Sequence, residues 1–370
     1  MQRDYVIQFL NDSATILLSI GRAFDPLISP PVSHTFSHPR LNTVGPTDVK
    51  IKIMYCGICH SDLHTVRCEW GQCAFPLVPG HEIVGVIEEV GQAVTKFKVG
   101  SRGAVGCIVD SCRTCQQCKE HRTEQYCDNQ VFTYNAKLKD GSVTQGGYSS
   151  HIVVDQDFVL NFPDTLPMDA GAPLLCAGIT VYSPMKYYGL DKAGLKFGVV
   201  GLGGLGHMAV KFAKAFGMEV TVISSSPSKK EEAISRLGAD NFVVSKSEED
   251  MKAAAGSLDG IIDTVSAKHD LSPYLTLLKP SGKYVCVGAP PEPYQVSAVQ
   301  LLLKRLLIGG SLIGGIAETQ EMLDFCAAHN VVCDIEKIPM SYVNSAYDRL
   351  LKADVRYRFV LDLNTLGDAE

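Results

Sequence analysis

Between Lys196 and Phe216 the chain reads Lys-Phe-Gly-Val-Val, then Gly201-Leu202-Gly203-Gly204-Leu205-Gly206, then an apolar stretch of helical composition. A buried strand running straight into spaced glycines and a helix constrains the fold more than any other part of the sequence. The glycines allow a tight turn and a close backbone approach, and the helix start offers unpaired amides and a positive dipole end to a pyrophosphate. A bare glycine pattern could be a tight strand-to-helix turn without a ligand. Here it sits inside a βαβ unit of the right length, which points to a dinucleotide. Further apolar strands are expected at Glu219–Ser224, Asn241–Val244, Gly260–Thr264, Tyr284–Gly288 and Leu306–Ile313, with a helix over Ser228–Leu237. Apolar strands alternating with helices describe a doubly wound parallel sheet covered on both faces, an α/β fold.

The end of the second strand sets the cofactor type. An NAD enzyme usually carries an acidic residue there for the ribose 2′-hydroxyl. This chain has Ser224-Ser225-Ser226 followed by Lys229 and Lys230. Hydroxyls and ammonium groups suit a 2′-phosphate, so NADP(H) is expected over NAD. The alternative is that Ser228 caps a helix whose lysines face water.

At 370 residues the chain is long enough for two domains. Upstream of the glycine turn the pattern is short strands and glycine-rich turns from Val49 to about Pro163, such as Val84–Val90 and Tyr148–Val154. Residues 1–50 read as irregular, broken by Pro30, Pro31 and Pro39. The tail ends in a helix and a strand, Tyr357–Leu363, which are expected to return to the β-rich part. The expected division is residues 1–176 and 315–370 in a β-rich catalytic domain, with residues 177–314 forming the nucleotide domain.

A formal net charge of -6 argues against a nucleic-acid backbone as partner. No apolar run is long enough to span a membrane, and the short patch Ile16–Ile20 is a poor fit to a secretory signal. Thirteen cysteines, an odd number clustered at metal-ligand intervals, point to a reducing, cytoplasmic setting with bound zinc rather than a disulfide framework.

Two zinc sites are expected. Cys112, Cys115, Cys118 and Cys127 put four thiolates in one short loop, a closed tetrahedral site that braces the loop and does no chemistry; disulfides are the alternative. The second set is scattered: Cys59 in Cys56-Gly-Ile-Cys59-His60-Ser61-Asp62-Leu63-His64, His81 and Glu82 after Gly80, and Cys176 far downstream. Two sulfurs and an imidazole leave a coordination position open, as catalytic zinc requires. Taken singly, a buried cysteine is more often core than ligand. Joint occurrence with the four-cysteine loop and the nucleotide fold carries the reading.

These motifs resemble the zinc-containing medium-chain dehydrogenases, and within them the plant cinnamyl alcohol dehydrogenases, from about Val49 to Leu363. The segments that carry the resemblance are CGICHSDLH, PLVPGHEIVG, GAPLLCAGITVYSP, VVGLGGLGHMAVKFAKAFG and DVRYRFVLDL. The resemblance implies a GroES-like catalytic domain beside the Rossmann domain, with Cys59, His81 and Cys176 on catalytic zinc and Glu82 as a resting-state ligand. It implies that Asp62 orients His81, that Ser61 and His64 form a proton relay, and that Ser61 also borders the cofactor. Thr180, Thr264, Gly288, Ser311, Leu312 and Ile313 would line the cofactor too. The strand at Leu306–Ile313 would be the edge of a homodimer. The implied reaction is hydride transfer between NADPH and a small carbonyl compound polarised by zinc.

Three departures stand out. Cys118 to Cys127 is one residue longer than the family spacing, with the extra residue expected to bulge near His121; Ser101-Arg102-Gly103 replaces a usual turn; the first forty-odd residues fit poorly. The resemblance places Trp70, Cys107, Phe132 and Leu312 near the substrate, although each could equally be core packing. Phe132 and Leu312 are smaller than their counterparts in lignin-type members. An aldehyde and its primary alcohol, of cinnamyl type, are the expected pair. The alternatives are a terpenoid, sugar-alcohol or imine substrate, or an NADPH-binding protein without catalysis.

Overall fold

The computed structural model describes residues 6–9, 16–19, 43–71 and 73–366. Pro30, Pro31 and Pro39, and with them most of the atypical first forty-odd residues, lie outside the described residues. In chain order the elements are β1 (Val6–Phe9), β2 (Ile16–Ser19), β3 (Asp48–Gly57), α1 (His60–Val66), β4 (Ile83–Val90), β5 (Arg102–Val105), β6 (Ile108–Asp110), β7 (Val131–Phe132), β8 (His151–Asp155), β9 (Leu160–Asn161) and α2 (Met168–Gly171). Then follow α3 (Ala177–Tyr187), β10 (Lys196–Val200), α4 (Gly204–Ala215), β11 (Glu219–Ser224), β12 (Asn241–Val244), α5 (Glu248–Ala253), β13 (Leu258–Asp263), α6 (Ser272–Thr276), β14 (Leu278–Cys286), α7 (Ala298–Lys304) and β15 (Leu307–Gly310). The tail holds α8 (Ile316–His329), β16 (Ile335–Pro339), α9 (Val343–Leu351) and β17 (Arg358–Asp362).

The chain divides into two compact units. The first comprises residues 1–176, 315–327 and 332–370; the second, residues 177–314 and 328–331. The first unit is built on a mixed sheet in the order β16-β17-β3-β4-β5-β9, with β8 also pairing β3. In β3, Val49, Ile51 and Ile53 are buried while Lys50 and Lys52 are not, the period-two pattern of a strand with one face on the core. β3 is the hub: it runs antiparallel to β17, β4 and β8.

One expectation is corrected here. Residues 1–50 read as irregular in the sequence, yet β1 and β2 pair as an antiparallel hairpin and β3 starts at Asp48. At the departure Ser101-Arg102-Gly103, Ser101 N–H donates to the Lys98 carbonyl and Arg102 opens β5.

The second unit is a six-stranded sheet in the order β12-β11-β10-β13-β14-β15, parallel throughout. β10 is buried from Phe197 onward, as a central parallel strand must be. Val200, Ile223, Val243, Ile261, Leu275 and Tyr284 form part of its core. The helix expected over Ser228–Leu237 is a 3-10 turn at Pro227–Lys229 leading to a π-helical turn at Glu232–Arg236. Among the described residues no helix is long and apolar enough to cross a membrane.

Candidate active site

The first site is built around α1. Cys59 caps the helix, and Asp62 folds back so that its Oδ2 accepts the Cys59 N–H at 2.8 Å. That capping turn aims the Cys59 sulfur inward. His81 and Glu82 precede β4, and Gly80 makes their approach possible with φ +105, a conformation side chains rarely adopt. Cys176 ends the 3-10 turn Ala172–Leu175. The ligand atoms of Cys59, His81, Glu82 and Cys176 all lie within 4.8 Å of one another, and all four residues are buried. The two sulfurs are 3.9 Å apart.

Asp62 is the organiser. It is fully buried, and its carboxylate faces four donors: Cys59 N–H, Gly80 N–H at 3.1 Å, His81 Nδ1 at 3.1 Å and the Tyr148 hydroxyl at 3.2 Å. Holding Nδ1 leaves Nε2 of His81 as the nitrogen available to a metal. Burial works to lower the His81 imidazole, but the Asp62 carboxylate together with Cys107 and Cys59 outweighs it and raises it well above the usual histidine range. The Cys59 thiol is held well below its usual range, first by the hydrogen bond with Cys176. Cys176 is raised well above it by hydrogen bonds with Cys107 and Cys59 and by burial.

Glu82 is pushed up to about 8 by burial, against the pull of Arg358. Arg358 Nη2 donates to Glu82 Oε1 at 2.5 Å, while Oε2 is buried without a partner. A side-chain carbon at Gly57 would come within 1.8 Å of that oxygen, so only glycine leaves room for it. A buried carboxylate oxygen lacking a donor, set among two thiols and an imidazole, fits a soft divalent cation such as zinc.

Beside this cluster, Ser61 Oγ lies 3.5 Å from Cys59 Sγ. His64 Nδ1 is 2.5 Å from Glu69 Oε2, and the His64 ring stacks on Trp70 at 4.8 Å. Glu69 and Tyr148 lie in none of the motifs, and Arg358 falls within DVRYRFVLDL without a role assigned to it, so none of the three was expected at the site. A carboxylate five residues beyond a candidate relay histidine was the available signal for Glu69. Of the residues expected near substrate, Cys107 is half-buried with Sγ 3.7 Å from the Leu175 carbonyl. Trp70 and Phe132 are exposed, and so is Leu312, which belongs to the other unit.

The second cluster, Cys112, Cys115, Cys118 and Cys127, also has its sulfurs within 4.8 Å of one another. All four cysteines are free. The N–H groups of Thr114 and Cys115 point at the Cys112 sulfur and lower it to about 5, which favours the thiolate. The extra residue before Cys127 is absorbed by a π-helical turn at Gln117–His121 and by Arg122 in the left-handed region. One disulfide does occur among the described residues, between Cys68 and Cys73, where none was expected.

In the second unit the glycine turn follows β10. Gly201 has φ +87, and a side-chain carbon at Gly206 would come within 2.1 Å of the Gly201 carbonyl oxygen. Gly203 instead borders open space, and no side chain caps α4. Gly204 and Leu205 open that helix. Thr264, Gly288 and Ser311 follow β13, β14 and β15, so they share the carboxyl edge of the sheet with the turn. This is the edge at which open α/β sheets bind ligands. Ser224 is buried, Ser225 exposed, and Ser226 N–H donates to Ser224 Oγ at 3.2 Å. Lys229 Nζ reaches the Leu202 carbonyl at 2.8 Å, which places its ammonium over the glycine turn. Thr180 is buried on α3, and Ile313 is buried with φ +38.

Comparison with known proteins gives the family. Residues 45–164 match the alcohol dehydrogenase GroES-like domain, and residues 204–328 match the zinc-binding dehydrogenase domain. A probable mannitol dehydrogenase of Fragaria ananassa is 60% identical over 87% of this chain and 90% of its own length. The 8-hydroxygeraniol dehydrogenase of Catharanthus roseus is 59% identical over 90% and 92%. Cinnamyl alcohol dehydrogenase 2 of Rauvolfia serpentina is 60% identical over 88% and 90%. A cinnamyl alcohol dehydrogenase of Sorghum bicolor superposes with a TM-score of 0.85 at 55% identity, covering 87% of this chain and 92% of its own. The CAD of Helicobacter pylori, solved with NADP(H), gives 0.81 at 44% identity, covering 87% and 92%. The chain therefore belongs to the zinc-dependent medium-chain alcohol dehydrogenases, in the plant cinnamyl alcohol dehydrogenase family.

Proposed function

We propose that this chain is an NADP(H)-dependent dehydrogenase interconverting an apolar, cinnamyl-type aldehyde and its primary alcohol. The observation that carries the reading is the buried meeting of two thiols, an imidazole and a carboxylate within 4.8 Å. Cys59, His81 and Cys176 hold the catalytic zinc, with Glu82 as the ligand of the resting state. Cys112, Cys115, Cys118 and Cys127 hold a structural zinc. Bound there, zinc supplies a Lewis acid for the carbonyl oxygen, and NADPH supplies the hydride.

The chain's own groups do the rest. Asp62 fixes the imidazole of His81 by taking its Nδ1–H. Glu69 accepts from His64 Nδ1, so Nε2 is the atom that gives or takes the proton, and Ser61 is the hydroxyl between it and the reacting oxygen. Gly201, Leu202, Gly203, Gly204, Leu205 and Gly206 bind the pyrophosphate. Ser224, Ser225, Ser226 and Lys229 take the 2′-phosphate, and Thr180, Thr264, Gly288, Ser311, Leu312 and Ile313 complete the cofactor site. NADP(H) is favoured because no carboxylate follows β11 and an ammonium lies over the turn. The CAD of Helicobacter pylori carries that cofactor.

On the first unit, Trp70, Cys107 and Phe132 supply the side chains for an apolar substrate. A terpenoid or sugar alcohol is the second reading, favoured by the names of two relatives, the 8-hydroxygeraniol and mannitol dehydrogenases. A panel of hydroxycinnamaldehydes, terpenoid aldehydes and mannose with both cofactors decides between them. Turnover of mannose above the aryl aldehydes would overturn the cinnamyl assignment, and no turnover on any substrate would overturn the enzyme assignment. A homodimer is supported by the open edge of β15 and by the exposure of Leu302 and Leu303 on α7, near 80% each. A cytoplasmic setting is supported by the two clusters of free thiols.

A further inference from the structure

Of thirteen cysteines, two are joined and eleven are free. In the four-cysteine loop, sulfurs only 3.5 and 3.9 Å apart stay unbonded, whereas Cys68 and Cys73 pair. This pair brackets Glu69 and Trp70, the two residues that touch His64. Each end of the bracket is anchored independently. Cys68 N–H donates to Thr65 and Glu69 N–H to His64 at the end of α1, while Ala74 N–H, just past Cys73, donates to Asn135 Oδ1 at 2.9 Å. The bond thus closes the segment between a helix end and a fixed loop, and both cysteines are partly accessible. A disulfide amid free thiols in a reducing setting is characteristically exchangeable.

We infer that Cys68 and Cys73 form a redox-active site, open to small or protein dithiols, whose oxidised form holds Glu69 and Trp70 on His64. The relay role of His64 rests on the function proposed above. In the exchange a thiolate of the dithiol attacks one cysteine sulfur and breaks the S–S bond. The second thiol of the reductant then resolves the mixed disulfide. Two electrons and two protons pass to Cys68 and Cys73, which become thiols, and the reductant becomes a disulfide. Once open, the segment is held on the α1 side only by the backbone bonds of Cys68 and Glu69 and loses its covalent tie to Cys73, so the Glu69 and Trp70 side chains are less fixed on His64 Nδ1 and its ring. Cofactor binding, in the other unit, is untouched.

The chain carries its own reporter, because Trp70 is its one tryptophan. The full-length, zinc-loaded protein is poised anaerobically across mixtures of reduced and oxidised dithiothreitol. Four quantities are read: alkylation of Cys68 and Cys73 by peptide mass, tryptophan fluorescence, kcat and NADPH affinity, while zinc content is checked at each point. The expected result is one two-electron transition shared by alkylation, fluorescence and kcat. Fluorescence should rise on reduction as the quenching disulfide is lost, and kcat should fall about fivefold, as loss of orientation in a relay predicts. NADPH affinity and zinc content should not move. The C68S/C73S double variant should be flat in fluorescence and stay at the reduced rate. Absence of a Cys68–Cys73 peptide under oxidising conditions would overturn the inference. So would a disulfide that forms without changing fluorescence or kcat, or a double variant that still responds. If no substrate turns over in either state, the enzyme assignment falls, while alkylation and fluorescence still decide whether the pair is redox-active.

Discussion

Replacing two glycines of the same turn by alanine should have opposite consequences. At Gly206 the added carbon would sit 2.1 Å from the Gly201 carbonyl oxygen, more than an ångström inside van der Waals contact. Gly201 cannot yield easily, since it holds φ +87 and its N–H is bonded to Ile223. G206A should therefore cost about 3 kcal/mol, the upper end of overpacking, and lower Tm by roughly 6–12 °C. At Gly203 the added carbon meets nothing within 4 Å, and φ is -138, which alanine tolerates. G203A should leave the apoprotein's melting temperature within about 2 °C, because surface changes away from special features stay near ±0.5 kcal/mol. The space it fills is where a pyrophosphate would approach the backbone. Losing that approach should cost about 2 kcal/mol of NADPH affinity, about thirtyfold in Kd. Calorimetry without cofactor and titration of NADPH fluorescence measure the two effects separately. If G203A binds NADPH as the parent does, or melts as early as G206A, the nucleotide reading of this turn is wrong.

Metal analysis should find two zincs per chain; C176A should lose turnover while keeping NADPH affinity, and C115S should lose one zinc together with thermal stability. Retained turnover in C176A would contradict the metal assignment. S225D, by restoring a carboxylate after β11, should shift preference from NADPH toward NADH by about tenfold or more in kcat/KM. Burial works to raise Asp240, but hydrogen bonds from Lys214 and the Val220 N–H outweigh it and hold it below the usual carboxylate range. Its contribution is therefore complete above the unfolded value of about 3.9 and fades as pH falls through the lower folded value. Because the Lys214–Asp240 pair is largely exposed and screened, D240N should cost only about 0.5 kcal/mol at neutral pH in urea titrations, and parent and variant should converge in acid.

The parts legible in the sequence were those whose physics is local. The glycine turn, the buried strand before it and the four-cysteine loop each draw their meaning from neighbours within one or two turns of chain. Cys59, His81 and Cys176 could be proposed only from residue type, from their occurrence with the other motifs and from the family resemblance, since nothing in their spacing says that they meet. Arg358 was illegible for the same reason in stronger form: its partner Glu82 lies 276 positions away. Tyr148 reaches Asp62 across 86 positions. Local rules also misled. The strand expected at Tyr284–Gly288 begins earlier, at Leu278, and runs through Pro280-Ser281-Gly282 to Cys286, with Ser281 at φ 63. The longer spacing before Cys127 threatened the loop on paper, and a π-helical turn accommodated it.

The position of β17 beside β3 has a consequence for synthesis. The nucleotide unit draws its strands from one continuous stretch, β10 to β15, so it can mature as soon as that stretch has left the ribosome. The other unit begins earlier but cannot finish, because its central strand waits for residues 358–362 and its buried Glu82 waits for Arg358. The middle of the polypeptide is thus completed before its beginning, and a nascent chain with residues up to about 331 outside the ribosome but β17 still inside would present a finished nucleotide unit and an unclosed metal-binding one.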